Sequence, residues 1–96
     1  MRLEWTRLAL QDFNEAQDYI AQDNPLAAQA VAQRIADAAR RLLEDPEIGR
    51  TGQVAGTREC LVTRTSHLLV YRVNGDVIEI LRVWHSRQDW QSPPAG

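Results

Sequence analysis

The side chains best suited to chemistry lie in the C-terminal half of this chain. The stretch RVWHSRQDW, residues 82–90, combines two arginines, a histidine and two tryptophans in nine residues. Cleavage of RNA by its own 2′-hydroxyl needs a general base, a general acid and a cation that binds the phosphate. Carboxylate and imidazole groups suit the first two roles, and guanidinium groups suit the third. We therefore predict five catalytic candidates for such a reaction: Glu59, His67, Arg82, His85 and Arg87.

A second set of candidates would contact a target or a phosphate group without reacting. Its members are basic or aromatic residues on and beside the predicted strands: Arg58, Arg64, Arg82, Arg87 and Trp90. All eleven basic residues of the chain are arginine, which binds phosphate and carboxylate groups through two parallel hydrogen bonds. A concave sheet edge bearing these arginines, with Tyr71 near it, would suit a phosphodiester.

Each candidate also has a structural interpretation. A histidine at the end of a strand is usually a surface residue, and Tyr71 is typical of a core or rim aromatic. Glu59 between Arg58 and Arg64 is typical of an exposed cross-strand ion pair, which contributes little to stability. The tryptophans at positions 84 and 90 are more typical of lids over the core edge than of base-stacking platforms.

Length and composition narrow the class of protein. A chain of 96 residues with 44% hydrophobic and 25% charged residues is typical of one small globular domain. The sequence contains no apolar run long enough for a membrane span and no N-terminal signal peptide, so we expect a cytoplasmic protein without membrane contact. Cys60 is the single cysteine, which excludes an internal disulfide. No metal-binding or nucleotide-binding motif is present, so we expect neither a metal nor a cofactor.

The first half of the chain has helical periodicity. Thr6 can cap a helix whose apolar residues recur at spacings of three and four, namely Ala9, Phe13, Ala16 and Ile20. Asn24 and Pro25 begin a second helix with the same periodicity, which ends before Pro46. The connection between the helices is very short, so they form an antiparallel hairpin.

The second half changes to a period of two. Residues 58–64, 67–73 and 77–85 alternate as strands, and Asn74 with Gly75 predicts a tight turn between the last two. On the last strand, strict alternation places Val77, Glu79, Leu81 and Val83 on one face, and Ile78, Ile80, Arg82 and Trp84 on the other. A short strand candidate, MRLEWT, precedes the helices.

The predicted fold is α+β with the order β-α-α-β-β-β. The helix hairpin packs on one face of a mainly antiparallel sheet of about four strands, and the position of the first strand stays open. We expect one domain over residues 1–91 and a flexible tail over residues 92–96.

The order and spacing of these pieces resemble the RelE/ParE superfamily of bacterial toxins from type II toxin–antitoxin systems. The resemblance covers about residues 2–91 and rests on four segments: YIAQDNPLAA, GRTGQVAGTREC, HLLVYRV with its Asn-Gly turn, and VIEILRVWHSRQDW. It implies a toxin with a microbial-ribonuclease-like sheet that arrests growth and is neutralised by a cognate antitoxin. The two proteins would form a hetero-oligomeric complex, and the toxin would contact operator DNA only through the antitoxin.

The resemblance leaves two molecular targets open. RelE-like members cut messenger RNA on the ribosome, whereas ParE-like members inhibit DNA gyrase with the same fold. Arg82 and Arg87 match the C-terminal basic residues of the nuclease members, and His85 matches a histidine common to both branches. Nuclease members keep lysines in the central strands, or an arginine directly after the strand histidine. This chain has no lysine and has Leu68 after His67, so the ParE-like alternative is favoured; the residues that bind the antitoxin are not identified.

Overall fold

A computed structural model describes residues 1–85 of the chain. The predicted site residues Arg87 and Trp90, the predicted domain end at residue 91 and the predicted tail lie outside the described residues. The elements in chain order are β1 (Arg2–Trp5), α1 (Arg7–Ala21), α2 (Pro25–Arg41), β2 (Arg50–Thr51), β3 (Arg58–Leu61), β4 (His67–Asn74) and β5 (Val77–His85).

The strands form one sheet in the order β1-β5-β4-β3-β2. β1 pairs with β5 in parallel, and the other neighbouring strands pair antiparallel. The predicted α+β class and the mainly antiparallel sheet are therefore confirmed, with five strands instead of about four. The additional strand, β2, has only two residues and lies in a glycine-rich loop, where no alternation could indicate it.

Both helices begin at the residues that the sequence predicts. The Oγ1 atom of Thr6 accepts a hydrogen bond from the backbone N–H of Ala9 at 3.1 Å. The Oδ1 atom of Asn24 does the same for Ala27 at 3.1 Å, and Pro25 occupies the first turn of α2. These caps satisfy backbone N–H groups that have no partner within the helix.

The core lies between the helix hairpin and one face of the sheet. Ala9 of α1, together with Ile35 and Ala39 of α2, packs against strand residues of that face. The strand residues of this core face include Leu69, Tyr71, Ile78, Ile80 and Val83. We call the opposite side of the sheet the outer face.

A β-bulge in β5 changes which residues share a face. Val70 pairs with Arg82 and Tyr71 pairs with Ile80, so Leu81 is an extra residue without a partner on β4. Val83 therefore lies on the core face with Ile80, and Arg82 lies on the outer face. The strict alternation expected for this strand was wrong, because one inserted residue reverses the parity of every position after it.

The bulge lies where β5 loses its neighbour β1. The pairing of β1 with β5 ends at Trp5 and Ile80, so the backbone of β5 beyond Ile80 needs other partners on that edge. Helix α1 supplies them: Thr6 Oγ1 donates to the carbonyl oxygen of Leu81 at 3.1 Å, and an Asp12 carboxylate oxygen accepts the N–H of Val83 at 2.9 Å. The side chains of Thr6, which caps α1, and of Asp12 thus make hydrogen bonds that a neighbouring strand would otherwise make.

Asp12 also binds Arg82 with both carboxylate oxygens, at 2.8 Å from Nε and 3.0 Å from Nη2. The side chain of Asp12 is 12% exposed, so its carboxylate is largely shielded from water. One carboxylate therefore joins α1 to both the backbone and a side chain of β5.

We expect Asp12→Ala to lower the free energy of unfolding by about 2–3 kcal/mol, because the partly exposed guanidinium of Arg82 and the backbone N–H of Val83 lose their shared partner. Urea denaturation followed by circular dichroism measures this. Glu4→Ala is the matched control, since it removes the exposed Arg2–Glu4 pair and should change stability by less than about 0.5 kcal/mol. Equal losses of unfolding free energy in the two variants would contradict the structural role assigned to Asp12.

Candidate functional site

The outer face of the sheet carries charged residues in rows across the strands. One row runs from Arg50 through Glu59 and Val70 to Arg82. The adjacent row runs from Leu61 through Leu68 to Trp84. The first row brings two predicted site residues, Glu59 and Arg82, onto one face, although they are 23 positions apart in the sequence.

The arginines that lie on the described part of the outer face all have carboxylate partners. The pairs are Arg2–Glu4, Arg50–Glu59, Arg72–Glu79 and Arg82–Asp12. A paired guanidinium is partly neutralised and has fewer donors available for a phosphate group. The outer face therefore has little unpaired positive charge over residues 1–85.

Arg82 is the most strongly held of these cations. Its hydrogen bonds to Asp12 raise the pKa of the guanidinium, and its charged group lies 5.8 Å from the ring centroid of Trp84. Asp12 and Trp84 thus fix the position of Arg82 at the edge of β5. Contact with a substrate phosphate would require it to share or exchange the Asp12 carboxylate.

Glu59 is buried, with 5% of its surface exposed. Its carboxylate accepts hydrogen bonds from Arg50 Nε at 3.3 Å, from Arg50 Nη2 at 3.1 Å and from the backbone N–H of Gln53 at 3.2 Å. The structural alternative of an exposed pair with Arg58 and Arg64 was wrong on both counts. Glu59 instead ties β2 and the following loop to the sheet.

His67 and His85 face each other on paired strands. Their rings meet edge to face with centroids 5.4 Å apart. His67 is buried, and its Nδ1 atom has no hydrogen-bond partner within the described part of the chain. Burial, followed by repulsion from His85, lowers the pKa of His67. Both catalytic histidine candidates therefore lie together, and His67 is held in its neutral form.

The remaining described candidates do not join this pair. The Nη1 atom of Arg58 donates to the carbonyl oxygen of Gly49 at 2.7 Å, and so braces the loop before β2. Arg64 lies in the turn between β3 and β4 with a φ of 65°. Tyr71 is fully buried, as its core interpretation predicts. Its hydroxyl donates to the carbonyl oxygen of Pro46 at 2.8 Å and accepts from Gly49 N–H at 3.0 Å.

A groove between α2 and β3 was not predicted from the sequence. It has a volume of about 620 Å³, and arginines from three different segments line it: Arg34 and Arg41 of α2, Arg50 of β2, and Arg64. The signal that could have indicated it is the spacing of seven between Arg34 and Arg41, which places both on one face of a helix. Such charges on a helix are ordinarily interpreted as a solvated surface.

Over residues 1–85, no three side chains among the histidines, cysteines and acids cluster closely enough to hold a metal ion. Neither α1 nor α2, the helices of this part of the chain, has the length and apolar character needed to cross a membrane.

The sequence and the fold of this chain match a known class of protein. A family model described as "ParE toxin of type II toxin-antitoxin system, parDE" matches residues 3–90. A solved structure titled "Chromosomal ParDE TA system from P. aeruginosa" superposes with a TM-score of 0.79 at 31% identity, covering 88% of this chain and 95% of that one.

Two relatives agree with this class. The chain is 40% identical over 89 residues to "Putative toxin Y4kP" of Sinorhizobium fredii, which covers 93% of this chain and 92% of that protein. It is 42% identical over 82 residues to "Toxin RelE2" of Caulobacter vibrioides, with 85% and 91% covered. The chain belongs to the ParE toxin family, and it is the toxin component of a type II toxin–antitoxin module.

The buried histidine predicts a pH-dependent stability. Because the pKa of His67 is lower in the fold than in the unfolded chain, the unfolded state binds more protons below about pH 6.5. The contribution of neutral His67 to stability is therefore fully present above that pH, and it decreases as pH falls toward the pKa of His67 in the folded state.

We expect the thermal midpoint to fall between about pH 7.5 and about pH 5.5, and His67→Gln to make that dependence shallower. Differential scanning calorimetry at both pH values measures it, and the comparison uses the slope because the substitution also changes stability at a single pH. An unchanged slope in the variant would show that other groups cause the dependence.

Proposed function

We propose that this protein arrests growth by a ParE-like inhibition of DNA gyrase in the cytoplasm, without cutting nucleic acid, and that a cognate antitoxin neutralises it. The observation that supports a non-nucleolytic mechanism most directly is the pairing of charges on the outer face. Each arginine on the described part of that face has a carboxylate partner, Arg82 and Arg50 included.

The central strand supports the same proposal. Leu68 follows His67, at the position where nuclease members of the superfamily keep an arginine, and its side chain is buried. Loss of one cation that stabilises a developing phosphate charge typically costs about 3 kcal/mol, roughly 100-fold in rate. Among residues 1–85, a replacement on the outer face would have to share or give up an existing ion pair.

The proposed antitoxin partner follows from the family and from exposed apolar surface. The structural relative is described as a ParDE toxin–antitoxin system, which names a second component. This chain exposes large apolar side chains, including Leu26 at 76%, Leu61 at 62% and Ile48 at 46%. A partner protein that covers such residues removes apolar area from water.

A gyrase assay tests the proposed target. We expect the purified chain to reduce supercoiling of relaxed plasmid by gyrase, and the co-purified antitoxin complex to leave supercoiling intact. Relaxation of negatively supercoiled plasmid by topoisomerase I in the same buffer serves as the control for general DNA binding. Supercoiling that is unaffected by a chain that still arrests growth on induction would exclude gyrase as the target.

A second candidate function rests on the histidine pair. Two adjacent imidazoles, one of them held neutral, are the groups that an RNA-cleaving acid–base mechanism needs. The alternative is therefore a ribosome-dependent messenger RNA endonuclease in which His67 accepts a proton and His85 donates one.

For this alternative we expect new 5′ ends in translated messages after addition of the chain to an in vitro translation reaction, detected by primer extension. His85→Ala should reduce the cleavage by about 100-fold or more, because an acid–base group is lost. The control is a message without a ribosome-binding site, which should stay intact. Absence of new ends at concentrations that arrest growth would remove this alternative.

A further inference from the structure

β1 forms one edge of the sheet, and among residues 1–85 no strand lies on its other side. The backbone N–H groups of Arg2 and Thr6 donate to carbonyl oxygens on the β5 side, at 2.9 and 3.0 Å. Backbone groups alternate sides along a strand, so the N–H and carbonyl groups of Leu3 and Trp5 point to the open side. This open side of β1 can therefore accept a further strand.

The sequence of β1 is complementary to itself in one antiparallel register. When Leu3 lies opposite Leu3 of a second copy, Arg2 of each copy lies opposite Glu4 of the other. The two Leu3 residues then exchange both of their N–H···O=C hydrogen bonds, because these groups point to the open side. The pairs on either side are of the non-hydrogen-bonded type, in which side chains approach most closely. Two opposite-charge pairs would meet at these positions.

On the β5 side, by contrast, Glu4 meets a like charge. The register of the two strands places Glu4 beside Glu79, which already pairs with Arg72 at 2.6 Å. Within its own strand Glu4 contacts Arg2 at 3.1 Å, but both side chains are at least half exposed, so this pair contributes little. A second copy would place another arginine on the open side of Glu4, which would offset the repulsion from Glu79.

Exposed apolar side chains lie next to the same edge. Met1 is 54% exposed and Leu8 is 53% exposed. Leu8 precedes Asp12 by four positions and so lies on the same side of α1, and Asp12 reaches the uncovered edge of β5. In the register centred on Leu3, Met1 lies opposite Trp5 of the second copy, which favours a contact between the thioether and the indole. Pairing would therefore also remove apolar area from water.

The order of the charges distinguishes β1 from a strand that merely protects its edge. Short edge strands with charged side chains ordinarily prevent a sheet from pairing with other chains. Two like charges at the outer-face positions of β1 would repel a second copy in the register centred on Leu3. The opposite charges of Arg2 and Glu4 attract it in that register.

We propose that two copies of this chain associate through β1, in the antiparallel register centred on Leu3, and join their two sheets into one. The two-fold axis is perpendicular to the sheet, so both helix hairpins lie on the same face. β1 and β2 form opposite edges of the sheet, so the groove between α2 and β3 stays accessible in the dimer. One short strand pair buries less than the roughly 1,200 Å² of a standard interface, so the dimer has a Kd on the order of 100 µM.

Sedimentation equilibrium of the full-length chain, between about 10 and about 500 µM, measures this association. We expect the apparent mass to rise from that of the monomer toward that of the dimer over this range. Arg2→Glu and Glu4→Arg should each weaken the association by about 10-fold or more, because each substitution places two like-charged pairs opposite each other.

An equimolar mixture of these two variants tests the register. One variant strand then carries two glutamates and the other two arginines, so both cross-strand pairs are again of opposite charge. We expect the mixture to associate within about 3-fold of the unchanged chain, although each variant alone does not. Recovery in the mixture also shows that both variants are folded at β1.

Arg40→Glu is the matched control for the change in charge. It alters net charge as Arg2→Glu does, and it also breaks an exposed ion pair, the one with Asp37 on α2. Because Arg40 lies on α2 and not on β1, this variant should associate like the unchanged chain.

Three results would overturn the proposal. A chain that stays monomeric up to about 500 µM would show that the charges of β1 only protect the edge. Association that is equally strong in Arg2→Glu and Glu4→Arg would assign the dimer to another surface. A monomeric chain whose β1 variants lose affinity for the co-expressed antitoxin would assign this edge to the antitoxin.

Discussion

The arrangement of this fold depends on how the open edge of β5 is satisfied. β1 is four residues long and covers only the first part of β5, whereas β5 continues to His85. An uncovered edge leaves backbone groups that must find partners or remain in water. Thr6 and Asp12 provide partners within two turns of α1, so the start of the first helix is fixed against the last strand. The hairpin with α2 then follows, because the connection between the helices is only a few residues long.

That same contact determines what Arg82 can do. The bulge at Leu81 turns Arg82 to the outer face, and the sequence predicted a phosphate contact for this arginine. Asp12 binds it there with two oxygens, and an exchange of that carboxylate for a phosphate would leave the largely shielded Asp12 carboxylate without its counter-charge. The structural contact with Asp12 and a contact with a phosphate would therefore use the same guanidinium. The fold favours the structural use, since the carboxylate serves the backbone and the side chain together.

The predictable part of the structure is the part in which local sequence and tertiary contacts agree. Thr6 and Asn24 cap helices as their side chains allow, and the apolar spacing of α2 places Ile35 and Leu42 in the core. The bulge is different, because Leu81 looks like any strand residue until the pairing with β4 is known. The Asp12–Arg82 contact joins residues 70 positions apart, and a surface position on α1 would be the ordinary interpretation of Asp12. The pairing of Glu59 with Arg50 could not be predicted for the same reason, since β2 has no periodicity that could place Arg50 beside Glu59.

The arginines of the described chain divide into those that pair with a carboxylate and those that do not, and their places in the fold explain the division. Arg50, Arg72 and Arg82 lie on strands beside a neighbouring strand or helix that presents a carboxylate, so folding partly neutralises their charges. Arg34, Arg41 and Arg64 lie on a helix face and in a turn, where no such row exists. A left-handed backbone at Arg64 costs roughly 1 kcal/mol or more relative to glycine, and the turn is held by the N–H and hydroxyl of Thr65, which both donate to the carbonyl oxygen of Val62. Three of the arginines that pair with no described carboxylate therefore line the groove between α2 and β3.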